Sequence, residues 1–125
     1  MRAALANARQ RAPKKRVPFD IDREYVMSRL EEVGGVCELS GIAFVPGYDP
    51  DGRYSHNPFG VSIDRIEPAK GYVRGNIRLV LTALNFAINE WGLPAYIAIA
   101  KAVSSRHLMA CRSDGVSGPE VKRSG

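Results

Sequence analysis

Asp64 and Asn85 are the two residues of this chain whose types and placement could do chemistry together. Asp64 stands near the exit of a short apolar-rich segment, Val61-Ser-Ile-Asp-Arg-Ile66. Asn85 falls on the stripe Leu81, Leu84, Asn85 and Ile88, the i, i+3, i+4, i+7 pattern of a buried helix face. A buried amide without partners costs on the order of 1–3 kcal/mol. Asn85 therefore either hydrogen-bonds a neighbouring loop or serves as a ligand. Asp64 poses the same choice: a plain salt bridge to Arg65, Arg74 or Arg78, or one oxygen of a shared site for a hard divalent cation. Magnesium takes oxygen ligands and commonly only one or two from protein. Held there, it would neutralise a scissile phosphate and its leaving oxygen.

The elements that must position this pair can be read on either side of it. Val61, Ile63 and Ile66 make a short strand, Pro68 to Gly75 is turn chemistry, and Ile77 to Val80 is a second strand. A helix follows over 81–90 and ends at Gly92; Pro94 opens another that runs to about Arg106. Upstream, Asp22 caps a helix carrying Val26, Leu30 and Val33 on one face, and Gly34-Gly35 ends it. Residues 36–45 read as a strand pair around Ser40-Gly41. Residues 46–60, rich in Pro, Gly, Asp, Asn and Ser, form a long loop of the kind that often carries function. Trp91 and Tyr96 are expected in the core where the last two helices meet.

Three segments carry a family resemblance: Cys37-Glu-Leu-Ser-Gly41, Ser62-Ile-Asp-Arg-Ile66 and Lys70-Gly-Tyr-Val-Arg-Gly-Asn-Ile77. The region from Cys37 to Asn89 resembles the HNH, or ββα-metal, endonuclease superfamily, and within it phage and mobile-element proteins. Asn76 and Asn85 stand nine positions apart, the spacing of that family's loop Asn and helical metal ligand. The resemblance implies an α+β fold with a ββα-metal core, flanked by the helices near 22–33 and 94–106. It implies Asp64 and Asn85 as ligands of Mg2+ or Mn2+, Asn76 as the brace of the loop, and Gly71 and Gly75 as its tight-turn residues. Leu81 and Leu84 stand where many relatives place the cysteines of a zinc knuckle, so no structural zinc is expected.

One departure concerns the residue after the acid, where the family usually has a His that activates water. Here it is Arg65, and a guanidinium does not give up its proton at neutral pH. Arg65 could clamp a phosphate and stabilise the charged transition state. His56 in the preceding loop could act as the base, imidazole being the side chain that titrates near neutrality; it is equally readable as a plain surface residue. A weak or silent site on a DNA-binding scaffold is the third reading.

Charge points the same way. The chain of 125 residues carries a formal +5, and Arg2, Arg9, Arg11, Lys14, Lys15 and Arg16 fall in the first sixteen positions without an acid. Such a block suits a polyanion. Lys14, Lys15 and Arg16, with Lys70, Arg74 and Arg78 around the site, are the candidate phosphate contacts; Tyr72 could pack or touch a sugar. Cys37 and Cys111 belong to no C-x-x-C pair, and Cys37 reads as a small buried residue. No apolar run could span a membrane. The expected organisation is a flexible basic arm over 1–18, one HNH-like domain over 19–111 and a flexible tail over 112–125. The expected function is cleavage of DNA phosphodiesters in the cytoplasm of a bacterial or phage-infected cell. A DNA-binding accessory protein without cleavage is the alternative, and a protein-interaction role a weaker third. The oligomeric state is left open, a homodimer included.

Overall fold

A computed structural model describes residues 2–52 and 56–113. Among these residues the fold is mixed α+β, with four α-helices and one two-stranded antiparallel sheet. Strands β1 (Val61–Arg65) and β2 (Ile77–Leu81) pair from Val61 opposite Leu81 to Arg65 opposite Ile77. Successive side chains of a strand point to opposite faces. Ile63, Ile77 and Leu79 therefore enter the main core from one face, while Ser62, Asp64, Arg78 and Val80 share the other. Helix α3 (Thr82–Ile88) follows β2 without a linker, giving a strand–strand–helix order over 61–88.

The basic N-terminal segment, expected as an irregular arm, is helix α1 (Arg2–Lys15). Ala4, Ala8 and Ala12 recur every four residues on one face of it, are buried, and pack with Ile63, Leu79, Ile21, Val26 and Tyr72. Burial of side chains the size of Ile63, Leu79 or Val26 stabilises the fold by about 1.5–3 kcal/mol each. Helix α2 (Arg23–Glu32) starts as its sequence directs: the Asp22 carboxylate accepts from the Tyr25 N–H at 2.9 Å. Gly34 and Gly35 follow it with positive φ.

Residues 36–45 do not form a strand pair. They make one isolated antiparallel bridge, Val36 to Ala43, because the segment is drawn instead onto the free edge of β2. The Glu38 N–H donates to the Leu79 carbonyl, and the Leu79 N–H donates to Glu38 Oε2, both at 2.9 Å. Cys37 is buried beside Val80 and Leu81.

The chain divides into two compact units, one through Ala87 and the second from Ile88. In the second, a short 3-10 turn (Asn89–Trp91) leads into α4 (Leu93–Ser113), which runs seven residues past the expected end at Arg106. Every residue from Lys101 to Ala110 is exposed. Trp91, expected in the core, is 67% exposed, and Tyr96 is half-buried. Of the expected tail, residues 112 and 113 are helical; 114–125 lie outside the described residues. Among the described residues no helix is long and apolar enough to cross a membrane.

Candidate nucleic-acid and metal site

The turn between the strands is held from inside by one amide. Asn76, 6% exposed, accepts from the Glu67 N–H through Oδ1 at 3.0 Å. Its Nδ2 donates to the carbonyls of Glu67 at 3.0 Å and Gly71 at 2.7 Å. Gly71 has φ +83°, and a Cβ there would sit 2.5 Å from the Pro18 carbonyl oxygen. That close approach lets residues 18–20 bond along Tyr72: its N–H donates to Pro18 and its carbonyl accepts from Asp20. Gly75 has φ +85° in open space, and its N–H donates to the Tyr25 hydroxyl at 2.8 Å.

Arg65 belongs to this turn. Its Nη1 donates to the Pro68 carbonyl at 2.8 Å, and its guanidinium lies 5.2 Å from the Tyr72 ring centre. Alternation along β1 turns it to the face opposite Asp64. Tyr72 itself is buried and packs.

Asp64 stands directly opposite Arg78, and Arg78 Nε donates to Asp64 Oδ2 at 2.7 Å, with both side chains 21% exposed. The salt bridge that the sequence left open as an alternative is thus formed. Asn85 Nδ2 donates to the Ser62 hydroxyl at 2.7 Å. Ser62 and Asp64 are two residues apart on one face of β1, so their α-carbons are roughly 7 Å apart. Asn85 therefore lies over the face that carries Asp64. Among the described residues no hydrogen bond engages Asp64 Oδ1 or Asn85 Oδ1. One carboxylate oxygen and one amide oxygen on a common face suit a hard cation, which takes oxygen ligands. Arg78 is its competitor. Among the described residues no group of three or more His, Cys, Asp or Glu could hold a metal.

The loop 46–60 reaches this site by capping α3. The Thr82 N–H donates to the Gly60 carbonyl at 2.9 Å and the Ala83 N–H to the Pro58 carbonyl at 3.1 Å, satisfying donors that a helix start leaves without partners. This brings the His56 ring edge-on to Phe86, with centres 5.2 Å apart. His56, Ser62, Asn57 and Phe86 line a cleft of about 330 Å3 together with Asn7 and Arg11 of α1. His56 thus shares a cleft with the hydroxyl that Asn85 grips.

Sequence reasoning gave Asn7 no role, read Ser62 only as part of a motif and read Arg11 only as one of the basic block. Arg11 donates through Nη2 to the Ile63 carbonyl at 3.2 Å and through Nε to the Tyr72 hydroxyl at 3.0 Å. The signal was the alanine repeat at 4, 8 and 12, which makes the segment a helix with Asn7 and Arg11 at the borders of its buried row.

The basic residues divide into two groups. Lys70 pairs with Glu67 at 3.1 Å, Arg78 with Asp64, and Arg74 with Asp22 at 3.4 Å; Arg74 also lies 4.8 Å from the Tyr25 ring centre. Their charge is compensated within the fold. Lys14, Lys15 and Arg16 are exposed at the end of α1 with no acidic partner among the described residues.

A second charged knot fixes β2. Arg29 holds Glu38 through Nε to Oε2 at 3.1 Å and Nη2 to Oε1 at 2.5 Å. Burial pushes the Glu38 carboxyl up, but the Arg29 bonds, the Leu79 N–H and the charges of Arg29 and Arg78 together hold it below its ordinary value.

Comparison with protein families, with characterised proteins and with solved structures yields no match for the chain.

Proposed function

We propose that this chain is an HNH-like, ββα-metal protein that hydrolyses phosphodiesters in DNA with Mg2+ or Mn2+ held by Asp64 and Asn85. The observation that carries the reading is the bond from Asn85 to Ser62, which sets the amide over the strand face bearing Asp64. The strand–strand–helix order and the bracing of the turn by Asn76 support it. Bound there, the cation would neutralise charge on the scissile phosphate and its leaving oxygen. The remaining roles belong to the chain. Arg78 keeps the Asp64 carboxylate oriented at the end of β1. His56, on the cleft shared with Ser62, is the proton acceptor for the attacking water. Arg65 is a positioning residue whose guanidinium is used by the turn. Lys14, Lys15 and Arg16 hold flanking phosphates.

The test is cleavage of duplex and single-stranded DNA in Mg2+ or Mn2+ by the full chain and by Asp64→Ala, Asn85→Ala and His56→Ala. Losses of at least about 100-fold are expected in each. Equal activity in all four proteins would end the reading.

The Asp64–Arg78 ion pair favours a second reading, a DNA-binding protein without cleavage. A cation must share the carboxylate with a guanidinium that already holds it. DNA binding that persists with no divalent-ion binding at millimolar concentration would select this alternative.

A further inference from the structure

We infer that the cleft beside Ser62 binds one unpaired nucleobase, so that the DNA this protein prefers is single-stranded or frayed at the site. The inference rests on the DNA reading above and names the form of the substrate. The cleft measures about 330 Å3, near the lower end of the roughly 300–1,000 Å3 typical of small-molecule sites. That is room for one flat heterocycle and not for a base pair. A base inside a duplex is stacked and paired, so it reaches such a site only when unpaired or extruded.

The walls suit an aromatic ring. Phe44, Val61 and Phe86 line the cleft, and Phe86 on α3 is 56% exposed. The His56 ring stands at 84° to the Phe86 ring with centres 5.2 Å apart. Rings set edge to face do not cover one another, which leaves ring faces for a base to stack on. A free phosphate gains nothing from these apolar walls.

The polar groups suit the edge of a base. Helix α1 lends the cleft Asn7 and Arg11. Arg11 spends Nε on the Tyr72 hydroxyl and Nη2 on the Ile63 carbonyl, which fixes the plane of its guanidinium. Among the described residues no hydrogen bond engages Arg11 Nη1 or the Asn7 amide. A guanidinium offers donors only and an amide both donors and an acceptor. They match the ring-nitrogen and carbonyl acceptors of base edges, and the amide also accepts from an exocyclic amine.

Ser62 joins this cleft to the strand face that bears Asp64. The two α-carbons are roughly 7 Å apart, about two rises of 3.4 Å along one strand. A base in the cleft therefore belongs to a nucleotide within one or two of a phosphate at Asp64.

The experiment is fluorescence anisotropy of the full chain in chelator, so that nothing is cut. The probes are a labelled single-stranded oligonucleotide and the same strand annealed to its complement. The single strand should bind at least about fivefold more tightly than the duplex, the scale of one stacked base. Phe86→Leu and Asn7→Ala should each weaken single-strand binding by at least about fivefold and leave duplex binding unchanged. Both residues are exposed, and both replacements favour helix, so far-ultraviolet spectra should match the wild type. The slope of log affinity against log salt should not change, because no phosphate contact is removed. Tighter binding of the duplex, equal losses on both probes, or no loss in either variant would each overturn the inference. Asp64→Ala should keep the single-strand preference, so a failed metal site leaves this result standing. A chain that binds neither probe would end both readings together.

Discussion

Arg78 and Asp64 face each other across the β1–β2 ladder and share a 2.7 Å hydrogen bond, so the carboxylate proposed as a metal ligand is already held by a cation of the chain's own. A guanidinium on Oδ2 fixes the plane of the carboxylate, while it opposes any second positive charge beside Oδ1. Replacement of Arg78 by Ala should therefore cost up to about 1 kcal/mol of stability, the scale of a partly exposed ion pair. It should also raise Mn2+ affinity about three- to tenfold. Thermal unfolding and Mn2+ titration on the same preparation check both; a fall in affinity would show that Arg78 serves the ion by orienting Asp64 more than it repels it.

Asn76 satisfies three backbone groups from a buried position. Asn76→Ala removes all three bonds and leaves the Gly71 carbonyl and the Glu67 N–H without partners, the Glu67 carbonyl keeping the Lys70 N–H, at an expected cost of about 2–4 kcal/mol. Chemical denaturation measures it. A cost below 1 kcal/mol would mean that the turn is held by Gly71 and Arg65 instead.

Gly71 and Gly75 share nearly the same positive φ but differ in surroundings. Gly75→Ala meets only the backbone penalty of about 1–2 kcal/mol. Gly71→Ala adds a collision with the Pro18 carbonyl and should be the more damaging of the two, separating residues 18–20 from Tyr72. Equal effects in denaturant titrations would contradict the close approach.

Glu38 gives the fold an acid dependence. Its folded-state carboxyl titrates below the ordinary value of 4.5. The stability it contributes is therefore full above that value and is lost as pH falls through the depressed folded value. Glu38→Gln should flatten the melting temperature against pH in the acidic limb and lower it near neutrality. A variant that keeps the wild-type acid limb would place the dependence elsewhere.

DNA contact by the end of α1 predicts a salt effect. Deleting residues 1–16 is a poor test, because it removes Ala4, Ala8 and Ala12 from the core. Changing Lys14, Lys15 and Arg16 together to Gln leaves that row in place. It should weaken DNA binding and reduce the slope of log affinity against log salt by up to about 2.7, at 0.9 per phosphate contact. An unchanged slope would show that these three residues do not touch phosphate.

The β1–turn–β2–α3 run was legible because its signals are local. Strand alternation, the glycines at 71 and 75 and the helical stripe through Leu84 and Ile88 each lie within a few residues. α1 was not legible as a core element because its buried row is alanine, whose small side chain gives little hydrophobic contrast against six basic neighbours. The Asp64–Arg78 pair depends on hairpin register, which Asn76 and the 3-10 turn at 68–70 set. Arg65, Arg74 and Arg78 could each have taken Asp64 on sequence grounds; strand alternation removed the first, and Asp22 took the guanidinium of the second. Trp91 was assigned to the core by type, yet on its 3-10 turn it is exposed.

The central claim, that Asp64 and Asn85 share one hard cation, is tested most directly by Mn2+ titration of the full chain, read by the electron paramagnetic resonance signal of the free ion. One site per chain is predicted for the wild type at up to millimolar Mn2+, with affinity lowered at least about 10-fold in Asp64→Ala and in Asn85→Ala alike. Binding that is unchanged in either variant would contradict the shared site.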